Sequence, residues 1–420
     1  ILVLMPLLLL RLGSVLWSWL LRLVASFGHH RRAMTRVAIR HEGQEAVLSH
    51  RGAPLMWFHV ASLGELEQAI PVMQAFRAAH LETPWLLTVY SPSAWHPLQS
   101  KGVSNVIDGW TEGDLLAVLP DDLPSTWRTW FSSIPLHALA LAKYDLWPNL
   151  LAACQDHNLP VHAFAAAPSS TAPNPKPSTP TLWKLVTTIS VQDEASAASF
   201  ARIGLTDNVT VDGDPRVERV LSRSTSLNPA WPAWAANASQ VVVAGSTWTE
   251  EEQALRTLDW HPQRRLVLVP HDVSVAHLTA LDRLWEGGAI RASQWLDLDA
   301  ESRDRWSVVI VDGTGLLFDL YRIGTVAVVG GGHGSGLHNV LESASAGLPI
   351  VTGPELGAFR EAHALERVGA LSSGDVADLT RGWLADEASC RQFGAAGLTW
   401  LKQQRGASAR IVSRWTESLC

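Results

Sequence analysis

The sequence has little cysteine: its 420 residues include three, Cys154, Cys390 and Cys420, which lie far apart in the chain. A disulfide-stabilised secreted domain needs several cysteines at regular spacings, and a structural zinc site needs them in clusters. The pattern excludes both classes. It favours a reducing, cytosolic compartment.

Charged residues are also scarce, at 17% of the chain, and there is no basic excess because the formal net charge is −7. A general nucleic-acid binder needs a basic surface for phosphate contacts, so we expect no nucleic-acid partner. Apolar residues make up 47% of the chain. This length and composition are sufficient for two well-packed domains, each with its own core.

The longest apolar run stands at residues 1–27 and is interrupted by Pro6, Arg11 and Arg22, and a basic cluster follows it at residues 29–40. A secretory signal carries its positive charge before the apolar run, not after it, and positive residues after the run hold that end in the cytoplasm. We therefore predict contact with membrane lipid at the cytoplasmic face. A spanning helix with snorkelling arginines and an interfacial helix both stay open.

The rest of the chain alternates between short apolar runs and helical patterns, in two series. In the first series, strands are predicted at 55–60, 85–89, 138–142, 161–165 and 188–191, and a helix at 65–80. In the second, strands are predicted at 240–244, 265–269, 308–311, 326–329 and 349–351. This alternation is typical of parallel sheets with helices on both faces. We predict two α/β halves facing one another across a cleft, with functional loops at the carboxyl ends of strands.

The boundary between the halves is predicted within residues 215–238. The parts are a membrane-associated helix at 1–27, an amino-terminal domain at 28–215, a carboxy-terminal domain at 216–395 and a final helix at 396–420. A proline- and serine-rich stretch at 168–180 is predicted to be a surface loop.

A glycine-rich loop at 330–336 follows an apolar strand and precedes a predicted helix with His338 and Glu342 on one face and Asn339 close by. Glycines let the backbone approach a ligand, and a helix N-terminus favours a bound phosphate. Glu342 is then placed to accept hydrogen bonds from ribose hydroxyls. The loop predicts nucleotide binding. A plain tight connection stays open, because the spacing fits neither the dinucleotide fingerprint nor a Walker loop.

In the first half, Glu65 directly follows a predicted strand at a glycine-containing turn. A carboxylate there could take a proton from an attacking hydroxyl. Ser62 and Glu65 also have the spacing of a helix capping box, and an acidic residue in a first helical turn suits the helix dipole. The local pattern leaves both roles open.

Several short motifs occur in order along the chain. They are FHVASLGE at 58–65, SPS at 91–93, LWPN at 146–149, GSTW at 245–248, GLL at 315–317 with Tyr321, and HNVLE at 338–342. The ordered set resembles the 3-deoxy-D-manno-octulosonic acid (Kdo) transferases, which act on lipid A precursors in Gram-negative bacteria. The resemblance runs from the amino-terminal segment to about residue 395, and the variants at 213–216 and 270–272 are similar to one divergent branch.

The resemblance implies a GT-B glycosyltransferase fold and transfer of Kdo from CMP-Kdo to a lipid A precursor, with inversion and without a metal or other cofactor. It implies a location at the cytoplasmic face of the bacterial inner membrane. It implies that Glu65 is the general base, and that the acceptor side includes Ser62, Gly64, Ser91 and Ser93. On the donor side it implies contacts from Ser246, Thr247, Pro270, His271, Gly315, Leu316, Gly331, Gly332, Asn339 and Glu342.

Three positions depart from the family's usual pattern. Lys143 stands where an acidic residue is common, His271 where arginine is common, and Val340 where proline is common. A leaving CMP needs positive charge as the glycosidic bond breaks. Lys143, Arg216 and His271 are therefore the candidate replacements for the missing arginine.

Two other hypotheses stay open: a UDP-sugar transferase or epimerase of the same fold, and a catalytically silent nucleotide-binding scaffold at the membrane. No metal site is predicted. Asp297 and Asp299 have the spacing of a metal-binding pair but lie in an acidic stretch typical of a solvated surface, and His333 with His338 lacks an evident third ligand.

Overall fold

The computed structural model describes residues 4–26, 36, 38–167, 179–224 and 226–419. The chain divides into two compact domains, the first comprising Ile1–Arg219 with Arg405–Cys420 and the second Val220–Gln404. The sequence places these boundaries at 215 and 395, and it assigns the end of the chain to a separate helix. Residues 29–32 of the basic cluster and most of the stretch at 168–180 lie outside the described residues.

The first domain is built on a parallel sheet. Its strands are β1 Leu55–Val60, β2 Trp85–Val89, β3 Leu115–Val118, β4 Leu136–Ala142, β5 Val161–Ala166, β6 Thr188–Val191 and β7 Val209–Val211. Their order in the sheet is β3-β2-β1-β4-β5-β6-β7. Every residue of β1 and β2 is buried, as expected for central strands of a sheet that is covered on both faces.

Helices cover both faces of this sheet. They are α1 Leu4–Ser26, α2 Gln44–Ser49, α3 Leu63–Ala79, α4 Pro92–Lys101, α5 Val103–Val106, α6 Pro124–Ser133, α7 Pro148–Asp156, α8 Thr179–Trp183, α9 Glu194–Ala201, and α10 Arg216–Ser222, which contains the point of division. The last helix of the chain, numbered α21 (Ala407–Leu419), also packs on this domain. Its Trp415 ring lies 6.2 Å from the Phe58 ring and 6.4 Å from the Phe76 ring, between ring centroids.

Tryptophan forms much of the first domain's core on the other face of the sheet. The Trp57 ring lies 6.1 Å from that of Trp127 and 5.4 Å from that of Trp130, and all three side chains are buried. These contacts identify Trp57, Trp127 and Trp130 as packing residues of the core.

The second domain repeats the architecture. Its strands are β8 Gln240–Thr247, β9 Arg264–Pro270, β10 Ile290–Arg291, β11 Val308–Ile310, β12 Val326–Val329, β13 Ile350–Thr352 and β14 Leu371–Ser373. They form a parallel sheet in the order β10-β11-β9-β8-β12-β13-β14. The helices are α11 Ala230–Ala236, α12 Thr249–Arg256, α13 Val275–Trp285, α14 Ala292–Leu296, α15 Ala300–Asp304, α16 Leu317–Leu320 with a 3-10 turn at Tyr321–Ile323, α17 Leu341–Ser345, α18 Arg360–Arg367, α19 Val376–Ala385 and α20 Glu387–Gln403.

Helix α1 is tied to the first domain by polar contacts. Arg11 Nε donates to Asn149 Oδ1 at 3.0 Å, and Asn149 Nδ2 donates to the Arg11 carbonyl at 3.2 Å. Ser14 donates to Asp122, a fully buried carboxylate. Elsewhere α1 exposes seven large apolar side chains: Leu8, Leu9, Leu12, Leu16, Trp17, Trp19 and Leu20. Within the part of the chain that the structure describes, no helix combines the length and apolar character needed to cross a membrane.

Candidate functional site

In each sheet the strand order changes direction beside one central strand, β1 in the first domain and β8 in the second. The connections leave towards opposite faces there, which opens a crevice at the carboxyl ends of the strands. Glu65 lies in the first turn of the helix that follows β1, and Ser246 lies near the end of β8. Each domain therefore carries a predicted functional residue at the switch point of its sheet.

A pocket of about 280 Å³ opens in the second domain beside the ends of β8 and β12. Four of the residues predicted to contact the donor line it: Ser246, Gly315, Asn339 and Glu342. Its volume is near the lower end of the range for small-molecule sites, roughly 300 Å³ and upward. The pocket has the size to hold part of a nucleotide.

Tyr321 lines this pocket and explains the glycine beside it. A Cβ on Gly245 would lie 2.3 Å from the Tyr321 hydroxyl and 2.5 Å from Leu317 Cδ1, so a larger residue at position 245 would force these side chains to move. Burial raises the pKa of the Tyr321 hydroxyl above its usual range, and the charge of Glu342 acts in the same direction. Tyr321 is therefore a neutral hydrogen-bonding group at physiological pH.

Six other residues predicted to contact the donor do not line this pocket: Thr247, Pro270, His271, Leu316, Gly331 and Gly332. The Thr247 hydroxyl donates to Glu252 Oε1 at 3.1 Å. The backbone N–H of Gly331 donates to Glu251 Oε1 at 3.2 Å. Both groups already have partners within the domain, and their contacts with a donor stay predictions.

Close backbone packing explains the glycines of the loop at 330–336. A Cβ on Gly330 would lie 2.2 Å from the Ser246 carbonyl oxygen, and a Cβ on Gly331 would lie 2.1 Å from that of Gly336. Gly331 also has a φ of +95°. These contacts support the packing role that the sequence left open for the loop.

The helix predicted directly after this loop begins later, at Leu341, and has five residues. His338 and Asn339 precede it, so the prediction that His338 and Glu342 share one helical face is wrong. Asn339 Oδ1 accepts a hydrogen bond from the Leu341 N–H at 3.1 Å, which stops the helix from extending backwards. A helix this short has a weak dipole, so the predicted phosphate site at its N-terminus loses its physical basis.

His271 is stacked between two aromatic rings, with its centroid 4.5 Å from that of Trp248 and 4.5 Å from that of His338. Of the two histidines, His338 lines the pocket. Burial and then the nearby His271 lower the pKa of His338, against an opposing effect of Glu251. His338 is consequently neutral at physiological pH and supplies the pocket with no permanent charge.

In the first domain half of the predicted capping box is present: Ser62 caps the helix, but the Glu65 carboxylate bonds the Ala61 N–H and not that of Ser62. Ser62 Oγ accepts a hydrogen bond from the Glu65 N–H at 3.4 Å, and Glu65 Oε2 accepts one from the Ala61 N–H at 2.5 Å. Glu65 is 5% exposed. Burial raises the pKa of the Glu65 carboxyl, although the Ala61 hydrogen bond opposes this. A carboxylate with a raised pKa accepts a proton more readily than a free glutamate, so the cap and the base role are compatible.

A charged cluster lies around Glu65. His59 Nε2 bonds Asp145 Oδ2 at 2.7 Å, and Trp147 Nε1 donates to the same oxygen at 2.9 Å. The negative charge of Asp145 raises the pKa of Glu65, while His59 and Lys143 lower it. The charge of Lys143 therefore acts on Glu65, in the first domain, and Lys143 does not line the pocket of the second domain.

The acceptor-side residues of the sequence analysis lie in the same domain. A Cβ on Gly64 would meet nothing within 4 Å, so there is open space beside it. Ser91 caps α4 and accepts hydrogen bonds from the Ser93 N–H at 3.2 Å and the Ser93 hydroxyl at 3.0 Å. Arg216 is paired with Asp214 at 2.6 Å and does not line the pocket of the second domain.

Sequence reasoning missed three side chains. His59 and Asp145 lie within or next to quoted motifs, and their residue types could have marked them as partners of Glu65. Arg223 lines the pocket of the second domain, where its Cζ lies 4.4 Å from the centroid of the Phe318 ring. No motif includes Arg223, so the sequence contains no local signal for it. Among the described residues, no group of three or more His, Cys, Asp or Glu is arranged to hold a metal ion.

Comparison with known proteins gives a consistent result. The family model described as 3-deoxy-D-manno-octulosonic-acid transferase (kdotransferase) matches residues 31–219. The 3-deoxy-D-manno-octulosonic acid transferase of Haemophilus influenzae is 24% identical over 387 residues, covering 85% of each chain. That of Bordetella pertussis is 25% identical over 430 residues, covering 96% of this chain and 95% of the relative.

Among solved structures, a putative UDP-N-acetylglucosamine 2-epimerase from Listeria monocytogenes matches with a TM-score of 0.60. The match covers 87% of this chain and 95% of that one at 9% identity. At this identity the likeness concerns the fold alone: two α/β domains with parallel sheets.

Proposed function

This chain belongs to the 3-deoxy-D-manno-octulosonic acid transferase family, and we propose that it transfers Kdo from CMP-Kdo to a hydroxyl of a lipid A precursor in lipopolysaccharide biosynthesis. The structural observation that carries the proposal is Glu65, a buried carboxylate with a raised pKa at the switch point of the first sheet. A proton acceptor is the group that a transfer to a hydroxyl requires.

In the proposed reaction Glu65 takes the proton of the acceptor hydroxyl as its oxygen forms a bond to the anomeric carbon of Kdo. The bond between that carbon and the phosphate oxygen breaks, and its electron pair leaves with CMP. Attack opposite to the leaving group inverts the anomeric carbon. We infer a GT-B transferase fold for the two α/β domains, with the acceptor bound by the first domain and the donor by the second.

The donor is assigned to the pocket of the second domain. Glu342 and Asn339 supply an acceptor and a donor of hydrogen bonds, suited to ribose hydroxyls, and Ser246 and Tyr321 supply further polar groups. On the acceptor side, the open space at Gly64 and the paired hydroxyls of Ser91 and Ser93 are assigned to the sugar of the lipid. The family resemblance predicts no metal in this step, and transfer in the presence of EDTA tests that prediction.

We propose a position at the cytoplasmic face of the inner membrane, and helix α1 supports the contact with lipid that this position requires. The contacts of Arg11 with Asn149 and of Ser14 with Asp122 use the polar side of the helix. Its apolar side is left exposed, with Leu16 at 69% and Leu9 at 61%. An exposed apolar stripe on a helix that is fixed to a domain by its polar side suits a helix lying in the interface of a bilayer.

The test is product analysis by mass spectrometry after incubation with CMP-Kdo and a tetra-acylated lipid A precursor. We expect a lipid product heavier by Kdo, together with CMP. A parallel incubation with UDP-N-acetylglucosamine addresses the epimerase-like alternative, which the structural likeness at 9% identity does not favour. Consumption of the UDP sugar alone would overturn the proposal.

A further inference from the structure

Two residues give the donor pocket its permanent charges at neutral pH, Arg223 and Glu342. His338 also lines it, but burial keeps that ring neutral. His271 stacks on His338, with the ring centroids 4.5 Å apart, and does not line the pocket. Among the residues that line this pocket, Arg223 is thus the one permanent cation.

The Arg223 side chain is placed by an aromatic ring. Its Cζ lies 4.4 Å from the Phe318 centroid, and Phe318 is itself buried. A guanidinium stacked on a ring keeps its N–H groups free at its edge, in a planar fork that matches two oxygens of a phosphate. Within the described part of the chain, Arg223 has no carboxylate partner, whereas Arg216 is paired with Asp214.

We propose that Arg223 binds the phosphate of the donor nucleotide and stabilises CMP as it leaves. The inference rests on the proposed function and assigns the leaving-group cation of that reaction. Charge divides the pocket: a phosphate is attracted to Arg223 and repelled by Glu342, which leaves Glu342 to the neutral ribose. When the bond between Kdo and the phosphate oxygen breaks, the electron pair adds negative charge to that phosphate, and Arg223 stabilises this charge more than that of the intact donor.

Arg322 provides a matched control. It contacts the same Phe318 ring, with its Cζ 5.1 Å from the centroid, but it is exposed and does not line the pocket. Arg223→Gln and Arg322→Gln both remove one cation from Phe318. Only the first removes a cation from the pocket.

The experiment measures the dissociation constant of CMP by titration calorimetry for the wild type, Arg223→Gln, Arg223→Lys and Arg322→Gln. We expect Arg223→Gln to bind CMP about 10- to 100-fold more weakly, since a charge-assisted bidentate contact is lost. The affinity of Arg223→Lys for CMP should lie between those of the wild type and Arg223→Gln, because lysine keeps the positive charge but not the planar fork of N–H donors. Added salt should weaken CMP binding by the wild type more than by Arg223→Gln. Cytidine, which lacks the phosphate, should inhibit transfer equally in all four proteins.

The inference is overturned if Arg223→Gln and Arg322→Gln bind CMP equally well. It is also overturned if Arg223→Gln lowers the affinity for cytidine as much as that for CMP, since this would indicate a disturbed pocket. A wild type that transfers Kdo while Arg223→Gln transfers it at the same rate would overturn this inference alone. A wild type that neither binds CMP nor consumes CMP-Kdo would overturn the proposed function as well.

Discussion

Glu65 Oε2 accepts a hydrogen bond of 2.5 Å from the backbone N–H of Ala61, the residue directly after β1. The bond fixes the carboxylate at the switch point of the first sheet. Replacing Glu65 with glutamine keeps an oxygen for the Ala61 N–H but removes the proton acceptor. We expect Glu65→Gln to lower kcat by about 10²-fold or more, measured as Kdo transfer under saturating donor.

The fold should survive this change. Because the pKa of Glu65 is raised in the folded state, the stability linked to this group is present below the usual glutamate pKa and is lost as pH rises through the raised value. At neutral pH, Glu65→Gln should therefore melt no lower than the wild type. Glu67→Gln is the control, since Glu67 lies in the same helix but pairs with Arg219 at 2.6 Å. Equal loss of turnover in both variants would argue against a specific role for Glu65.

The charges around Glu65 predict two opposite shifts in the pH profile. The base is inactive when protonated, and burial raises its pKa. As pH is lowered, kcat/KM should therefore begin to fall at a pH above the usual pKa of glutamate. Asp145 raises the pKa of Glu65 and Lys143 lowers it. Asp145→Asn should move the acid limb to lower pH, and Lys143→Met should move it to higher pH. Shifts in the same direction would contradict the assignment of this limb to Glu65.

The sequence predicted the ten central strands, and all ten are present, but it missed β3, β7, β10 and β14. These four are the edge strands of the two sheets, and they are short and partly exposed, so they lack the continuous apolar run that marks a buried strand. Central strands can be read from composition because they must be buried on both faces. Edge strands are defined by pairing with a distant neighbour.

The candidate site, too, could be predicted only in part from the sequence. Ser246, Gly315, Asn339 and Glu342 belong to motifs and were predicted to contact the donor, and the structure brings these four to one pocket. Arg223 reaches that pocket through the tertiary packing of its segment, which no local pattern encodes. The late start of α17 was predictable in principle, because Asn339 is a residue type that caps helices.

The position of Gly245 predicts a steric effect on the pocket of the second domain. A Cβ there would lie 2.3 Å from the Tyr321 hydroxyl, so Gly245→Ala must displace Tyr321 or the strand. We expect a loss of about 1–3 kcal/mol in unfolding free energy and weaker CMP binding. Gly313→Ala is the control, since a Cβ at Gly313 meets nothing within 4 Å. Denaturant unfolding measures the first effect and calorimetry the second. If Gly245→Ala changes neither the unfolding free energy nor the affinity for CMP, the pocket is not tightly packed around Gly245.

Asp122 predicts a large effect on stability away from the pocket. Its buried carboxylate accepts hydrogen bonds from Trp127 Nε1 at 2.6 Å, from the Leu150 N–H at 2.9 Å and from the Asn149 N–H at 3.1 Å. Asp122→Ala leaves these donors buried without a partner, so the free energy of unfolding should fall by about 3 kcal/mol or more. Asp156→Ala, at an exposed position of α7, should leave it nearly unchanged. A loss shared by both variants would point to a general sensitivity of α7 and not to the buried carboxylate.

The exposed face of α1 predicts how the protein meets a lipid surface. Leu12 and Leu16 are 53% and 69% exposed there, and burying each in a bilayer interface contributes roughly 1.5 kcal/mol or more. Changing both to glutamate should lower binding to anionic vesicles at least about tenfold in a sedimentation assay, without lowering the melting temperature. Leu81→Glu is the matched control, because Leu81 is 70% exposed but lies outside α1. If the double variant and the control sediment with vesicles equally, the apolar face of α1 is not the surface that contacts lipid, and the polar contacts of Arg11 and Ser14 then serve only to pack the helix.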